Sequence, residues 1–436
     1  MVTRCARINS AEPTQPEATA IQSNPYAVDA LVSASAHRKI FASRDIFDEH
    51  GTKLWAKGNV VTESLKERLS DRKLRQPLET CLTVEDGVNA RELKAAMSSF
   101  YDSGHALAQA VLPFASRLAD EVAALPVQSI AQLLLTANKV TRPTAFEHAC
   151  QAMAFAGAMA LRSGASRMEL RMALLGGLMH DLGELYVNPK YFSSTGALNT
   201  AEYRHLAVHP TLGQALLMRF GAADYPAALA RAIGEHHERL DGSGYPTRLK
   251  GPQISKLGRL LAVVECTMGV VRTKRAPLAS ASFALRFVAG EFDAEHIGFL
   301  SEAAREADEE LGVDAELDEA ALEKVEQRIE AALIQARQLS QASALPAIKA
   351  VAERAASMLT ALRASWNSLG LWAHQDAGRA HPESQFELAL ATREFSHRLN
   401  TMKRECLWAE KALSESDEAH LAPLWNAVGE PAMSQA

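Results

Sequence analysis

Residues 236–246 read HHERLDGSGYP, two adjacent imidazoles followed by a turn with a glycine on either side of a serine. Glycines at such a place let the backbone approach a neighbouring group or ligand closely. Taken alone, the stretch is equally a helix that stops in an Asp-Gly turn. Other residues shift that balance. His148, His180-Asp181, His209 and Glu265 fall at or near the ends of helical stretches in the same part of the chain. A lone histidine on a helix is more often structural than a ligand. Glu265, however, stands in the apolar run RLLAVVECTMGVV, where a carboxylate is costly to bury unless it is paired or bound to a metal. Five imidazoles and two carboxylates so arranged point to a multi-metal centre. Nitrogen and oxygen donors without thiolate favour iron or manganese, with zinc as a further option.

The rest of the chain must position these groups. Its 436 residues suggest two or three domains. With 47% hydrophobic and 22% charged residues it can bury a core. The cysteines at 5, 81, 150, 266 and 406 form no Cys-x-x-Cys pair, which argues against a disulfide framework or a zinc knuckle. No apolar run is long enough for membrane insertion, and the first residues lack a signal-peptide core, so a cytoplasmic location is expected. The net charge of −6 is unevenly spread. Residues 140–290 hold seventeen Lys and Arg against ten Asp and Glu, which suits an anionic small ligand and not a nucleic acid polymer. Residues 291–330 reverse this, with fifteen acidic residues against three basic, and read as a solvated helix face.

Periodicity divides the chain into a disordered polar tail over 1–30, a small mixed α/β domain over 31–90, a helical domain over 91–310 and a helical region over 311–436. The fold is expected to be mainly α. HRKIFASRDIFDEHGTKLWAKGNVV predicts a hairpin in the small domain. Trp366, Trp372, Trp408 and Trp425 are expected to fill the core of the C-terminal bundle. The helix ALEKVEQRIEAALIQARQL is a candidate for homodimer formation, and either terminal region could engage a signalling partner. The basic run VRTKR places Arg272, Lys274 and Arg275 where they could reach phosphates.

Over about residues 140–310 the chain resembles the HD-GYP family, the bacterial cyclic di-GMP phosphodiesterases within the HD metallohydrolase superfamily. The resemblance is carried by EHACQAMAFAGAMALRSG with His148, GGLMHDLGELYVNP with His180-Asp181, GALNTAEYRHLAVHPTLG with His209, HHERLDGSGYP, and GEFDAEHIGFL. It implies an all-helical HD-type domain holding two divalent metals, a bridging hydroxide as nucleophile, and cyclic di-GMP as substrate. By the same resemblance Asp181 bridges the metals, and His148, His180, His209, His236, His237 and Glu265 complete the ligand set. Gly244, Tyr245 and Pro246 form the turn from which part of the family's name comes and are expected at the substrate. There are departures. The family's lysine after the His-Asp pair is Glu184 here, its third-metal glutamate is Thr144, and its Lys-Pro-Gly is Ser194-Thr195-Gly196. If the helix continues through 184, Glu184 points at the metals as an added ligand or as a gate that repels phosphate. If the helix breaks at Gly183, Glu184 turns away. The eroded substrate motifs leave two alternatives open: a weak or inactive module that binds a nucleotide or a partner, and a hydrolase of another phosphorylated small molecule.

Overall fold

The computed structural model describes residues 21–127, 129–193, 198–220, 225–274, 278–307, 319–368, 382–408, 410 and 413–429. The protein is mainly α, with a small strand-bearing portion at its N-terminal end. Order begins before residue 30. Ile21 pairs antiparallel with Leu74, and a helix over Pro25–Ser35 follows. That helix starts there because Pro25 supplies a preset φ at its first position and the Asn24 side chain accepts from the Tyr26 and Ala27 amides. Two further antiparallel pairs join Ile40–Ala42 to Leu82–Val84 and Ile46–Phe47 to Lys53–Trp55. The second is the expected hairpin, closed by Asp48, whose Oδ1 accepts from the His50 and Thr52 amides.

One apolar cluster runs from Val28 to Ala303, so packing is continuous across the boundary expected near 90. The helix Ser129–Thr141 explains the continuity. It lies between Pro25–Ser35 on one side and the helix Pro143–Arg162 on the other. Thr136 Oγ1 accepts from the Val88 amide at 2.9 Å, and Gln132 Nε2 donates to the Val88 carbonyl at 3.1 Å, pinning the last strand's exit to this helix. Tyr186, just beyond the His-Asp pair, reaches the same region. Its hydroxyl donates to Glu79 at 2.6 Å, and its carbonyl accepts from Asn24 at 3.0 Å.

A second cluster runs from Phe287 to Val428 and joins the helices Glu319–Ala342, Pro346–Ser368, Pro382–Leu407 and Ala422–Val428. The acidic helix buries Val325, Ile329, Ala332, Leu333 and Ala336 there. These positions form an apolar stripe that its own bundle covers. Trp366 and Trp425 fill this core as expected. Trp408 does not; it stands at the edge of the bundle against Tyr245. Trp372 lies outside the described residues. Arg398 ties the two clusters together through ion pairs with Glu394 at 2.9 Å and Glu291 at 2.8 Å and a hydrogen bond to the Ala284 carbonyl at 3.1 Å. Among the described residues no helix is long and apolar enough to cross a membrane.

Candidate metal centre

Helix ends bring most of the candidate ligands together. The helix Arg167–Met179 starts with a reciprocal cap between Ser166 and Glu169 and ends on His180. His209 opens the helix His209–Phe220, and His236 closes Ala227–Glu235. His148 and Glu265 lie within helices, Pro143–Arg162 and Lys256–Lys274. Three of the imidazoles are oriented by the backbone. His180 Nδ1 meets the Gly177 carbonyl at 2.8 Å, His209 Nδ1 the Leu206 carbonyl at 2.9 Å, and His236 Nδ1 the Ile233 carbonyl at 2.6 Å. A carbonyl oxygen only accepts, so each Nδ1 carries a proton and each neutral ring presents the Nε2 lone pair.

Those lone pairs converge. His209 Nε2 is 3.1 Å from His236 Nε2, and His148 Nε2 is 3.3 Å from His180 Nε2. In His209 and His236, whose Nδ1 protons are both committed to carbonyls, the facing Nε2 lone pairs repel unless a cation lies near both. Two groups result, with ligand atoms within 4.8 Å of one another in each: His148, His180, Asp181 and Glu265, and His209, His236 and His237. Asp181 faces both groups. Its Oδ2 is 3.1 Å from His180 Nε2 and 3.5 Å from His148 Nε2, while its Oδ1 is 3.4 Å from His209 Nε2 and 3.6 Å from His236 Nε2.

The electrostatics fit a cation. Glu265 Oε2 is 3.3 Å from the Nε2 atoms of both His148 and His180, yet is buried without a hydrogen bond. An orphaned buried carboxylate oxygen costs at least about 1–3 kcal/mol unless something compensates it. With no cation present, Asp181 and Glu265 raise the pKa of His180 well above the usual imidazole range against its burial, and the positive ring so formed outweighs the burial of Asp181 and holds that carboxyl well below its ordinary value; a metal ion would supply the same positive charge to a neutral ring. Burial, helped by His236, pushes His237 well below the usual imidazole range, which favours the neutral form that ligates metals. The residues present therefore suit a metal with nitrogen and oxygen ligands. Cys266 is no competitor, since burial pushes its thiol up to about 11.

Glu184 belongs to neither group. The helix ends at Met179, and the chain passes into a tight 3-10 turn over Leu182–Tyr186, so the helical continuation that would aim Glu184 at the metals is absent. The reason is steric: a β-carbon at Gly183 would run into the His209 carbonyl oxygen, so this turn sits directly on the start of the His209 helix. Glu184 nevertheless does not swing into solvent. It is 15% exposed, and its Oε2 lies 2.7 Å from Arg142 Nη2. Burial and the charge of Asp181 raise its pKa against the pull of Arg142. The Arg142 guanidinium also lies 4.1 Å from the centre of the Phe192 ring.

The Gly-Tyr-Pro turn folds back on the histidines. Tyr245 stacks on His237, with ring centres 4.5 Å apart and planes 13° from parallel, and its amide donates to the His237 carbonyl at 3.0 Å. A β-carbon at Gly244 would strike the Arg239 amide and the His237 carbonyl, so this glycine serves the closing of the turn on the helix end. Pro246 continues the same turn. The side chains of Arg272 and Lys274, and Arg275 altogether, lie outside the described residues. Sequence reasoning passed over Glu238. It is fully buried and accepts from the Thr247, Arg248 and Leu249 amides, pinning the chain that follows Tyr-Pro. The motif HHE contained the signal, since an acid beside two ligands needs a partner of its own. Arg142 carried no comparable signal.

The HD domain family profile matches residues 134–293. That segment is similar to the HD domain family. Among curated proteins, the chain is 31% identical over 150 residues to 3'3'-cGAMP-specific phosphodiesterase 1 of Vibrio cholerae, covering 34% of each chain. It is also 31% identical over 179 residues to a cyclic di-GMP phosphodiesterase of Pseudomonas aeruginosa, covering 40% of this chain and 42% of that protein. The chain thus spans less than half the length of these relatives. Among solved structures, an HDG"Y"P protein of Bdellovibrio bacteriovorus is similar with a TM-score of 0.35 at 14% identity, over 66% of this chain and 97% of that one.

Proposed function

We propose that the protein is a metal-dependent phosphodiesterase that hydrolyses cyclic di-GMP at a centre for two divalent transition metals. The observation that carries this reading is Asp181, whose two oxygens face two separate sets of imidazoles. The names of the relatives support the substrate class, a cyclic dinucleotide. His148, His180 and Glu265 would hold one metal, His209, His236 and His237 the other, with Asp181 between them. Iron or manganese suits this donor set, as does zinc. Once bound, such metals supply positive charge beside a phosphodiester and make water a better nucleophile at neutral pH.

The remaining work falls to the chain itself. The Gly177, Leu206 and Ile233 carbonyls fix three ring tautomers, so the lone pairs are aimed before any ligand arrives. Tyr245 covers one face of His237 and limits its rotation. Glu238 holds the loop that carries Tyr245.

Metal analysis of anaerobically purified protein, coupled to a cyclic di-GMP turnover assay, tests the reading. About two transition metals per chain are expected, with conversion to the linear dinucleotide or GMP that chelation abolishes. Protein without transition metal that leaves cyclic di-GMP intact overturns it. One observation favours a second reading, a nucleotide-binding module of low turnover: the charge of Arg142, beside the Asp181 turn, is cancelled by Glu184. Metal-loaded protein that binds the dinucleotide without cleaving it decides for that reading.

A further inference from the structure

A cavity of about 200 Å³ lies between the HD domain and the C-terminal helices, and the candidate ligand His237 is part of its wall. It is smaller than the roughly 300–1,000 Å³ of pockets that enclose a whole drug-sized ligand, so it suits a part of a nucleotide. Which part follows from charge. Asp241, Glu291, Glu394 and Glu405 face it against only two guanidiniums, Arg239 and Arg398. Arg398 is already held by Glu291, Glu394 and the Ala284 carbonyl. Phosphate is disfavoured in such a place, whereas a neutral planar group with donors along its edge is favoured.

The aromatic lining matches that shape. Tyr245 stacks on His237, and Trp408 meets Tyr245 edge-on with ring centres 5.4 Å apart. Glu405 lies three residues before Trp408, where a helix places both on one face. Both line the cavity, and Glu405 has no hydrogen-bond or ion-pair partner among the described residues. The position of this wall is set from the HD domain. Arg204 donates to the Leu407, Trp408 and Glu410 carbonyls at 2.8, 3.1 and 3.0 Å. A guanidinium there satisfies carbonyls that a helix end leaves open and complements its negative pole.

We propose that this cavity receives one guanine base of a cyclic dinucleotide, with Trp408 stacking on the base and Glu405 accepting from its N1–H and N2 amino group. The inference rests on the cyclic-dinucleotide reading above and adds base specificity, contributed by residues outside the HD domain segment 134–293. Adenine in the same orientation has no N1–H and sets a ring-nitrogen lone pair against the carboxylate.

The test is isothermal titration of the metal-loaded full chain with three probes: phosphorothioate cyclic di-GMP, its cyclic di-AMP counterpart, and GMP. Wild type should prefer the guanine analogue by about tenfold or more. Trp408→Ala should lose about tenfold in affinity, as expected for one base stacked on an aromatic ring, and Trp408→Phe should regain most of it. Glu405→Gln should shrink the guanine preference to within about threefold, with metal content unchanged. Equal affinity for the two cyclic analogues, or Trp408→Ala and Glu405→Gln binding as wild type or more tightly, overturns the inference while leaving the cyclic-dinucleotide reading in place. Refusal of both cyclic analogues together with Trp408-dependent binding of GMP supports the base site and sinks that reading. Refusal of all three probes sinks both.

Discussion

The two halves of the histidine centre share Asp181 but are otherwise unlike. One half adds two imidazoles and a second carboxylate, Glu265; the other adds three imidazoles and no carboxylate. Counting Asp181 in both, a cation in the first half faces two formal negative charges and a cation in the second faces one. At an effective dielectric near 20, each unit charge about 4 Å away is worth on the order of 4 kcal/mol. The difference separates two tasks. On the proposed reading, the carboxylate-rich half would retain its metal more tightly. The imidazole half leaves more of a metal's charge uncompensated, and its His237 also contacts Tyr245 and lines the cavity beside Trp408.

The largest effect should come from the shared group. Asp181→Asn should lower metal content in both halves and reduce cyclic di-GMP turnover by about a thousandfold or more, about 4 kcal/mol in barrier height. Metal analysis and single-turnover assays check this, and full metal occupancy would show that Asp181 bridges nothing. Next comes the asymmetry itself. Glu265→Gln should weaken retention of one metal equivalent by about 10- to 100-fold, and His237→Gln should weaken the other by less. Competition with a chelator reads both, and equal losses would erase the distinction between the halves.

A smaller effect is expected from Glu184→Lys, which sets a second cation against Arg142 just outside the centre. Breaking a well-buried ion pair costs about 3–5 kcal/mol. Because these side chains are 18% and 15% exposed, about 2–3 kcal/mol is expected here. Urea unfolding measures that loss, and the double variant Arg142→Glu with Glu184→Lys should recover part of it. A single variant as stable as wild type would show that the pair contributes nothing. The smallest effect belongs to Glu238→Gln. It keeps one acceptor oxygen, for the Thr247 and Arg248 amides, but sets an NH2 donor against the Leu249 amide and loses the charge, so about 1–2 kcal/mol of stability is expected to go with little change in metal content. Loss of metal in this variant would make Glu238 part of the centre and not of its support.

Legibility differed by residue. His148, His180-Asp181, His209, His236-His237 and Glu265 were conspicuous in the chain because chemistry restricts residue type: an imidazole at a helix end or a carboxylate in an apolar run has few inexpensive explanations. Glu184 was conspicuous too, yet the chain left open whether the helix runs through it or breaks at Gly183. Whether a helix runs through Gly183 depends on how closely the His209 helix approaches, and that is a contact between separate elements. The same holds for the N-terminal portion. One of its three strand pairs was readable as a local hairpin, but the other two join distant segments, and its merging with the helical core runs through the helix Ser129–Thr141, whose apolar positions do not announce their partners.

The amino-acid sequence by itself determined the mainly α character, the donor atoms and their chemistry, since these follow from local periodicity and residue type. Only the tertiary structure decided that Asp181 faces two sets of imidazoles, that Arg142 meets Glu184, and that Trp408 leaves its own bundle to stand beside Tyr245. Trp408 is far from Tyr245 in the chain, and periodicity reports which face of a helix is apolar without saying what covers it. The choice between core and cavity wall was made by Arg204, which holds the end of the helix Pro382–Leu407 through three backbone carbonyls. Every residue has such carbonyls, so the sequence carries no mark of which ones an arginine will find.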